Sequence, residues 1–148
     1  MKTTLTKQIR IVLAVILLTG LLPAAFLGCA HVAPGQDPLI VRAEQAETVA
    51  ANTFNLVVTV DDANRPFFIA NVPEFHKFAE WLRQPVFVDG TNQLPQGLAI
   101  VKNLDNVKLS YKSAQASSNV FFTTIIVLES TVSQAAGWLS KTTNSIPH

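Results

Sequence analysis

The chain has 148 residues, of which 11 are basic and 10 acidic, and it contains a single cysteine. One cysteine excludes a disulfide within the chain and a thiolate metal cluster, so the fold must depend on packing alone. A near-neutral charge without a basic patch excludes nucleic acid as an expected partner. The length is typical of a single domain that buries enough surface to form a hydrophobic core.

The N-terminus has the parts of a secretory leader, namely a basic start, an apolar stretch and a small residue at a cleavage site. The basic residues are Lys2, Lys7 and Arg10, and the apolar stretch covers residues 11–27. This stretch is slightly shorter than the roughly 20 residues of a membrane-spanning helix. An uncleaved anchor helix is the alternative interpretation, in which Cys29 is an unmodified thiol beside the membrane.

The run Phe26-Leu27-Gly28-Cys29 ends this leader and resembles the lipobox of bacterial lipoprotein signals. The family prefers leucine where Phe26 stands, whereas the small residue and the cysteine fit. The resemblance implies residues 1–28 as signal peptide, cleavage after Gly28, and diacylglycerol and acyl (palmitate-type) chains on Cys29. Two or more such chains anchor a protein stably. The next residue, Ala30, is not the Asp that retains family members at the inner membrane, which implies an outer-membrane protein facing the periplasm.

The rest of the chain is predicted to form one domain. The leader holds three of the basic residues and none of the acidic ones, so residues 29–148 contain eight basic and ten acidic residues, a net charge of −2. We expect residues 29–36 to be the lipidated cysteine and a short flexible tether. Residues 37–140 are the predicted domain, and residues 141–148 a flexible tail.

Asp37-Pro38 predicts the start of a first helix, because Asp is a good N-cap and proline suits the first helical position. Apolar residues then recur every three or four positions as far as Val57, which is the pattern of an amphipathic helix. Residues 54–60 are β-branched and alternate as in a strand. We favour helix because no breaker precedes them. Pro66 predicts that the helix ends near Asn64-Arg65.

A second helix is predicted to start at Asn71-Val72-Pro73-Glu74. Its apolar face consists of Phe75, Phe78, Ala79 and Leu82. Residues 84–95 contain two prolines and an Asp-Gly pair, which predict a loop. Within it, residues 86–88 are either a short strand or a plug over an open end of the fold.

A third helix is predicted from Gln96 to Ala114, and a fourth after the polar break at residues 117–119. The third is expected to turn Leu98, Val101, Leu104 and Val107 inward, with Ile100 and Tyr111 near that face. The inward residues of the fourth are Phe121, Ile125, Leu128, Val132, Ala135 and Leu139. Their regular spacing of four and three is the strongest helical periodicity in the chain.

These elements predict an all-α protein, a three- to four-helix up-and-down bundle. A small α+β domain is the alternative if residues 54–60 and 86–88 are strands. The part after the leader resembles small helical lipoproteins of bacterial and phage genomes, whose function is generally unassigned. The residues behind this resemblance are Cys29, the segment Asp37-Pro38-Leu39-Ile40-Val41-Arg42-Ala43-Glu44-Gln45, Asp62-Ala63-Asn64-Arg65, and Val72-Pro73-Glu74-Phe75-His76-Lys77-Phe78-Ala79. The resemblance implies a helical fold and no particular chemistry.

Few residues suggest a metal site. His76 and Glu80 are one helical turn apart, but a catalytic zinc usually takes three protein ligands. We therefore interpret them as a solvated pair. Asp61-Asp62 lacks the glycine and the terminal glutamate of a calcium loop, and we expect these acids at a solvated helix face or end. The sequence predicts no metal.

Catalytic patterns are also missing from the sequence. No spacing brings together two of the candidate carboxylates, which are Asp62, Glu74, Glu80, Asp89 and Asp105. The serines, for example Ser110, Ser113, Ser130 and Ser133, lie outside Gly-x-Ser-x-Gly and Ser-x-x-Lys motifs. The glycines form no phosphate-binding loop. We therefore predict no enzymatic activity and no cofactor.

Two tryptophans are the best candidates for contacts outside the domain. Trp81 and Trp138 fall off the central apolar stripes of their helices, so each is expected to contact a partner or the lipid surface. The favoured hypothesis is a structural or interaction module with the membrane and an envelope protein as its partners. Alternatives are a phage-encoded lysis accessory lipoprotein and a binder of an apolar ligand, since no polar residues are predicted to converge in the core.

Overall fold

A computed structural model describes residues 33–88 and 90–143, without the side chain of Thr143. The predictions about the leader, Gly28, Cys29 and the tail residues 144–148 concern positions outside the described residues. Within the described ranges the chain forms five helices and a two-stranded sheet. The prediction of a mostly helical protein is therefore confirmed.

The helices are α1 (Pro38–Ala63), α2 (Arg65–Asn71), α3 (Pro73–Arg83), α4 (Gln96–Lys112) and α5 (Ser118–Thr143). The strands are β1 (Pro85–Val88) and β2 (Asn92–Pro95). Residues 54–60 belong to α1, so the alternative of a strand there is wrong. The last helix continues through Thr143, although a tail was expected from residue 141.

The first helix starts and stops where its local sequence dictates. The Asp37 carboxylate accepts a hydrogen bond from the backbone N–H of Leu39 at 2.8 Å, and the helix ends at Ala63. The short helix α2, which the sequence analysis did not predict, follows at once. Its Phe68 is buried, and the ring packs 4.6 Å from that of Phe75 in α3.

The predicted loop after α3 contains a β-hairpin. Its strands pair antiparallel, with Val86 opposite Leu94. Gly90 in the turn has a φ of +73°, a backbone conformation that glycine adopts without steric cost. The N–H of Gln96 donates to the carbonyl of Gln84 at 2.8 Å and closes the base of the hairpin. The hairpin therefore ties the end of α3 to the start of α4.

The hydrophobic core lies mainly between the three long helices. The six residues of α5 predicted to face inward are all buried, which confirms its periodicity. From α1 the buried apolar residues are Ala43, Ala46, Ala50, Phe54, Val57 and Val60. Each fully buried large side chain contributes about 1.5–3 kcal/mol, so this interface is the main source of stability.

Helix α4 contacts the core mostly through the predicted residues: Leu104 is buried, and Val101, Val107, Ile100 and Tyr111 pack against the core. Leu98 is exposed, so its inward placement is wrong, and Gly97 is buried instead. A Cβ at Gly97 would lie 3.2 Å from Cδ2 of Leu82 and 3.4 Å from Cδ2 of Phe54. The missing side chain therefore lets α1 and α3 approach the start of α4. In its second half α4 also buries Lys108.

Candidate functional site

The C-terminal end of α1 contacts α3 through a buried carboxylate. Asp61 is fully buried, so the prediction of a solvated position is wrong for this residue. It lies four residues after Val57 and continues the inward stripe of α1. A buried carboxylate is unfavourable unless it is paired. Its Oδ2 accepts a hydrogen bond from Nη2 of Arg83 at 2.9 Å, and its Oδ1 lies 3.0 Å from Nδ1 of His76.

Arg83 joins these acidic groups to the backbone of α1. Its Nη2 also donates to the carbonyl of Val58 at 3.1 Å and to Oδ1 of Asp62 at 2.8 Å. Its Nη1 donates to Oε1 of Glu80 at 2.7 Å. A guanidinium suits several acceptors at once because its donors form a rigid planar fork. We refer to Asp61, Asp62, His76, Glu80 and Arg83 as the α1–α3 corner.

Three potential metal ligands converge in this corner. Ligand atoms of Asp61, His76 and Glu80 lie within 4.8 Å of one another. The His76 side chain is only 19% exposed, so its interpretation as solvated is wrong. Both carboxylates already accept hydrogen bonds from Arg83, and its positive charge would repel a divalent cation bound beside it. The geometry therefore favours an ion-pair network over a metal centre.

An open cleft of about 460 Å³ adjoins the corner. It is lined by Lys77, Glu80, Trp81, Arg83, Gln84 and Pro85. Trp81 is 37% exposed, and its ring stacks on Phe78 with 5.7 Å between the centroids. The indole is thus held in place by a neighbouring ring while one part faces solvent. Tryptophan beside arginine is a combination enriched at the energetic centres of protein interfaces.

The other tryptophan has different surroundings. Trp138 is partly buried against the hydrophobic core and does not line the cleft. The Nζ of Lys141 lies 5.6 Å from its ring centroid, within the range of a cation–π contact. Of the two tryptophans singled out by the sequence, Trp81 therefore has the surroundings of a binding residue.

A second buried charge pair connects α1 and α4. The Nζ of Lys108 lies 2.6 Å from Oε2 of Glu47, and the two side chains are 9% and 16% exposed. Burial opposes the charged form of Lys108, but the hydrogen bonds and charges of Glu47 and Asp105 outweigh it and raise the pKa of the lysine. Glu47 Oε1 is buried without a hydrogen-bond partner among the described residues. Polar groups thus converge inside the fold, contrary to expectation.

The remaining candidate acids and serines make local contacts. Asp105 accepts a hydrogen bond from Lys102 at 3.2 Å, and this contact lowers the pKa of Asp105. Glu74 pairs with Lys77 at 3.4 Å on the surface of α3. The Ser110 hydroxyl donates to a carbonyl of its own helix. None of these contacts activates a nucleophile or a base. Asp89 lies outside the described residues.

Helix α5 has a surface of another kind. Between residues 113 and 128 the sequence has no charged residue. Its exposed apolar residues are Val120, Phe122, Ile126 and Val127. By length and composition, Ser118–Thr142 is apolar enough to cross a membrane, a criterion that core helices of soluble proteins also meet. In this structure, one face of α5 packs in the hydrophobic core of the domain.

Comparison of the chain with protein-family models, curated proteins and solved structures finds no match. The described part of the chain offers an open cleft beside a charged corner and a helix face whose first residues are uncharged. Both features are typical of binding, because exposed aromatic and apolar groups contribute when a partner covers them.

Proposed function

We propose that this protein is a small lipid-anchored helical protein of the bacterial envelope, and that it acts as a structural or interaction module. The observation that carries the proposal is the lone cysteine, Cys29, directly after Gly28 at the end of a basic and then apolar leader. Eight residue steps separate Cys29 from Asp37, where α1 is capped. Fully extended, they span about 26–29 Å, so the domain is held near the membrane.

We also propose that the long helices form an up-and-down bundle. The start of α1 contacts the end of α4, where the Tyr111 hydroxyl donates to Asp37 at 2.8 Å. Phe54, later in α1, packs beside Gly97 at the start of α4. The Tyr111 and Phe121 rings, 4.7 Å apart, bring the start of α5 to the same end. These contacts support opposite directions for α1 and α4, with α5 turning back again.

In this arrangement the cleft beside Trp81 is the surface that meets an envelope partner. Arg83 contacts α1 at Val58, 20 residues after Pro38 and thus about 30 Å along the helix from the anchored end. The cleft therefore lies at the end of the domain that is far from the anchor. Its lining offers an aromatic ring, two cations and a carboxylate, which suit a polypeptide segment with polar and charged side chains.

Photo-crosslinking in the native host tests this role of the cleft. A photoreactive phenylalanine analogue replaces Trp81 in the full-length protein, and the same analogue at Phe122, also an exposed aromatic residue, is the matched control. We expect one envelope protein to be captured from position 81 and not from position 122. The substitution Lys77→Glu, on the cleft lining, should weaken that capture. The same adducts from both positions, or no protein adduct from position 81, would contradict the proposal.

A further inference from the structure

The outer face of α5 changes character along its length. Its exposed apolar residues, Val120, Phe122, Ile126 and Val127, all lie within the first ten residues of the helix. The second part exposes small, polar or charged residues, namely Ser130, Ser133, Gln134, Gly137, Ser140 and Lys141. Exposed apolar residues that are confined to one end of a surface helix indicate that an apolar partner or phase contacts the protein at that end.

The charges around that cluster are compensated. Arg42 pairs with Glu129 at 2.6 Å, and Lys112 lies 3.9 Å from Glu44. The carboxylate of Asp37 accepts hydrogen bonds from Tyr111 and from the backbone. Among the described residues at this end, Arg42 and Lys112 thus have acidic partners, and the Asp37 carboxylate is hydrogen-bonded, which lowers the cost of approaching an apolar phase.

The cluster also lies where the chain joins the domain. The guanidinium carbon of Arg42, in the second turn of α1, is 5.3 Å from the ring centroid of Phe122. Leu109, near the end of α4, is a further exposed apolar side chain. A tether from Cys29 to Asp37 reaches about 26–29 Å at most. A lipid on Cys29 would thus keep a membrane within reach of this end.

We infer that Val120, Phe122, Ile126 and Val127, here named the lipid-facing patch, lie against the phospholipid surface in which Cys29 is anchored. The inference rests on the proposed lipid anchor and adds the orientation of the domain on the membrane. Interfacial helices bury such residues shallowly at the boundary between headgroups and acyl chains. Lipid is favoured over a second copy of the chain, because a pairing seam between helices repeats along their whole length.

Fluorescence quenching by lipids tests the patch in the full-length protein. Single cysteines replace Val120 or, as the matched control, Ile69; both residues are 53% exposed, and Ile69 lies in α2 beyond the far end of α1. The new thiol is labelled with a fluorophore, and the protein is reconstituted into phosphatidylethanolamine–phosphatidylglycerol vesicles that contain brominated lipids. We expect quenching at position 120 to exceed that at position 69 roughly threefold or more, as shallow insertion requires.

Equal quenching at the two positions, or stronger quenching at position 69, would overturn the inference. A disulfide between two copies at position 120, formed without lipid quenching, would assign the face to a second copy instead. If Val120→Cys lowers the melting temperature, Val127→Cys replaces it in the same comparison.

Labelling of the unsubstituted protein separates failure of the patch from failure of the anchor. Its only thiol is Cys29, which a lipid blocks, so we expect no label. If Cys29 does take the label, the proposed anchor is wrong. The quenching comparison is then repeated in a Cys29→Ser background, where position 120 still has to exceed position 69 for the patch to stand.

Discussion

The α1–α3 corner and the outer face of α5 use charge in opposite ways. The corner buries Asp61 and surrounds it with Arg83 and His76, whereas residues 118–128 of α5 include no charged residue and expose apolar side chains. In the corner, the charges connect α1 and α3 beside the apolar core that both helices share. On α5, the lack of charge leaves a surface that an apolar phase can cover. The protein thus uses one region to hold its own helices together and another to contact its surroundings.

This contrast has an energetic consequence. A buried ion pair stabilises little relative to apolar residues of the same volume, but removal of one partner leaves a buried charge and is expensive. Exposed apolar residues contribute little to folding. Substitutions in the corner should therefore change stability, and substitutions on the outer face of α5 should change contacts with the surroundings.

The largest effect is expected from Asp61→Ala. It removes the central acceptor of the corner and leaves Arg83 largely buried without its main partner, so the free energy of unfolding should fall by about 3–5 kcal/mol. Urea denaturation of the full-length protein in detergent measures this. The matched control is Asp62→Ala, since Asp62 binds the same arginine but its side chain is 53% exposed. The control should lose less than about 1 kcal/mol. Equal losses would contradict the buried role of Asp61.

The next effect concerns the pair between α1 and α4. Lys108→Met should destabilise the protein by about 3 kcal/mol because the carboxylate of Glu47 stays buried without its cation. The double variant Lys108→Met/Glu47→Leu should recover most of this loss, since neither charge remains. A double-mutant cycle from denaturant unfolding gives the coupling between the residues. Additive losses from the two single variants would show that the pair is not coupled.

A smaller, pH-dependent effect is expected at Asp37. The hydrogen bond from Tyr111, and then the one from the N–H of Leu39, lower the pKa of Asp37. The stabilisation that the ionised Asp37 carboxylate gives to the fold is therefore complete above the ordinary pKa of about 3.9. It is lost as the pH falls through the lowered pKa of Asp37 in the folded protein. Asp37→Asn keeps a capping side chain but removes this pH dependence, whereas Asp37→Ala should lose about 1 kcal/mol at neutral pH.

The acid-dependent loss of stability at Asp37 is measured by melting temperatures between about pH 2 and pH 7. This range includes the ordinary carboxylate pKa. We expect the curve of the Asn variant to fall less steeply than that of the unsubstituted protein at the acidic end. Identical acid profiles would show that the bond between Tyr111 and Asp37 does not contribute to folding.

The smallest effect is a gain on the outer face of α5. Gly137→Ala should stabilise the protein by about 0.5–1 kcal/mol, because glycine is unfavourable inside a helix and the added Cβ would meet nothing within 4 Å. Gly97→Ala is the matched control, since its Cβ would press on Leu82 and Phe54. The control should gain less. A loss of stability in Gly137→Ala would show that this part of α5 is covered by a neighbouring group.

Local signals in the sequence predicted the helices well. The cap at Asp37, the proline at the first helical position 73 and the break at Pro66 act on neighbouring residues only, so their effect can be read without the fold. The α5 stripe is equally local, because one buried face requires a regular spacing. The short helix α2 was missed because seven residues are too few to establish a period.

The site depends on information that is not local. The place of Asp61 on the inward stripe of α1 indicates burial, but its partner Arg83 lies 22 residues away, and Lys108 lies 61 residues from Glu47. Such pairs depend on how two helices pack against each other, which a local pattern in the sequence does not show. The buried Gly97, in place of Leu98, has the same origin, since the crowding by Phe54 and Leu82 comes from other helices.

Intact-mass measurement of the protein from the native membrane fraction tests the lipid anchor most directly. We predict a chain that starts at Cys29 and carries a diacylglycerol group together with an acyl chain on its α-amine. The mass of the unmodified 148-residue chain would contradict the anchor. That result would also remove the reason to place the start of α5 at a membrane.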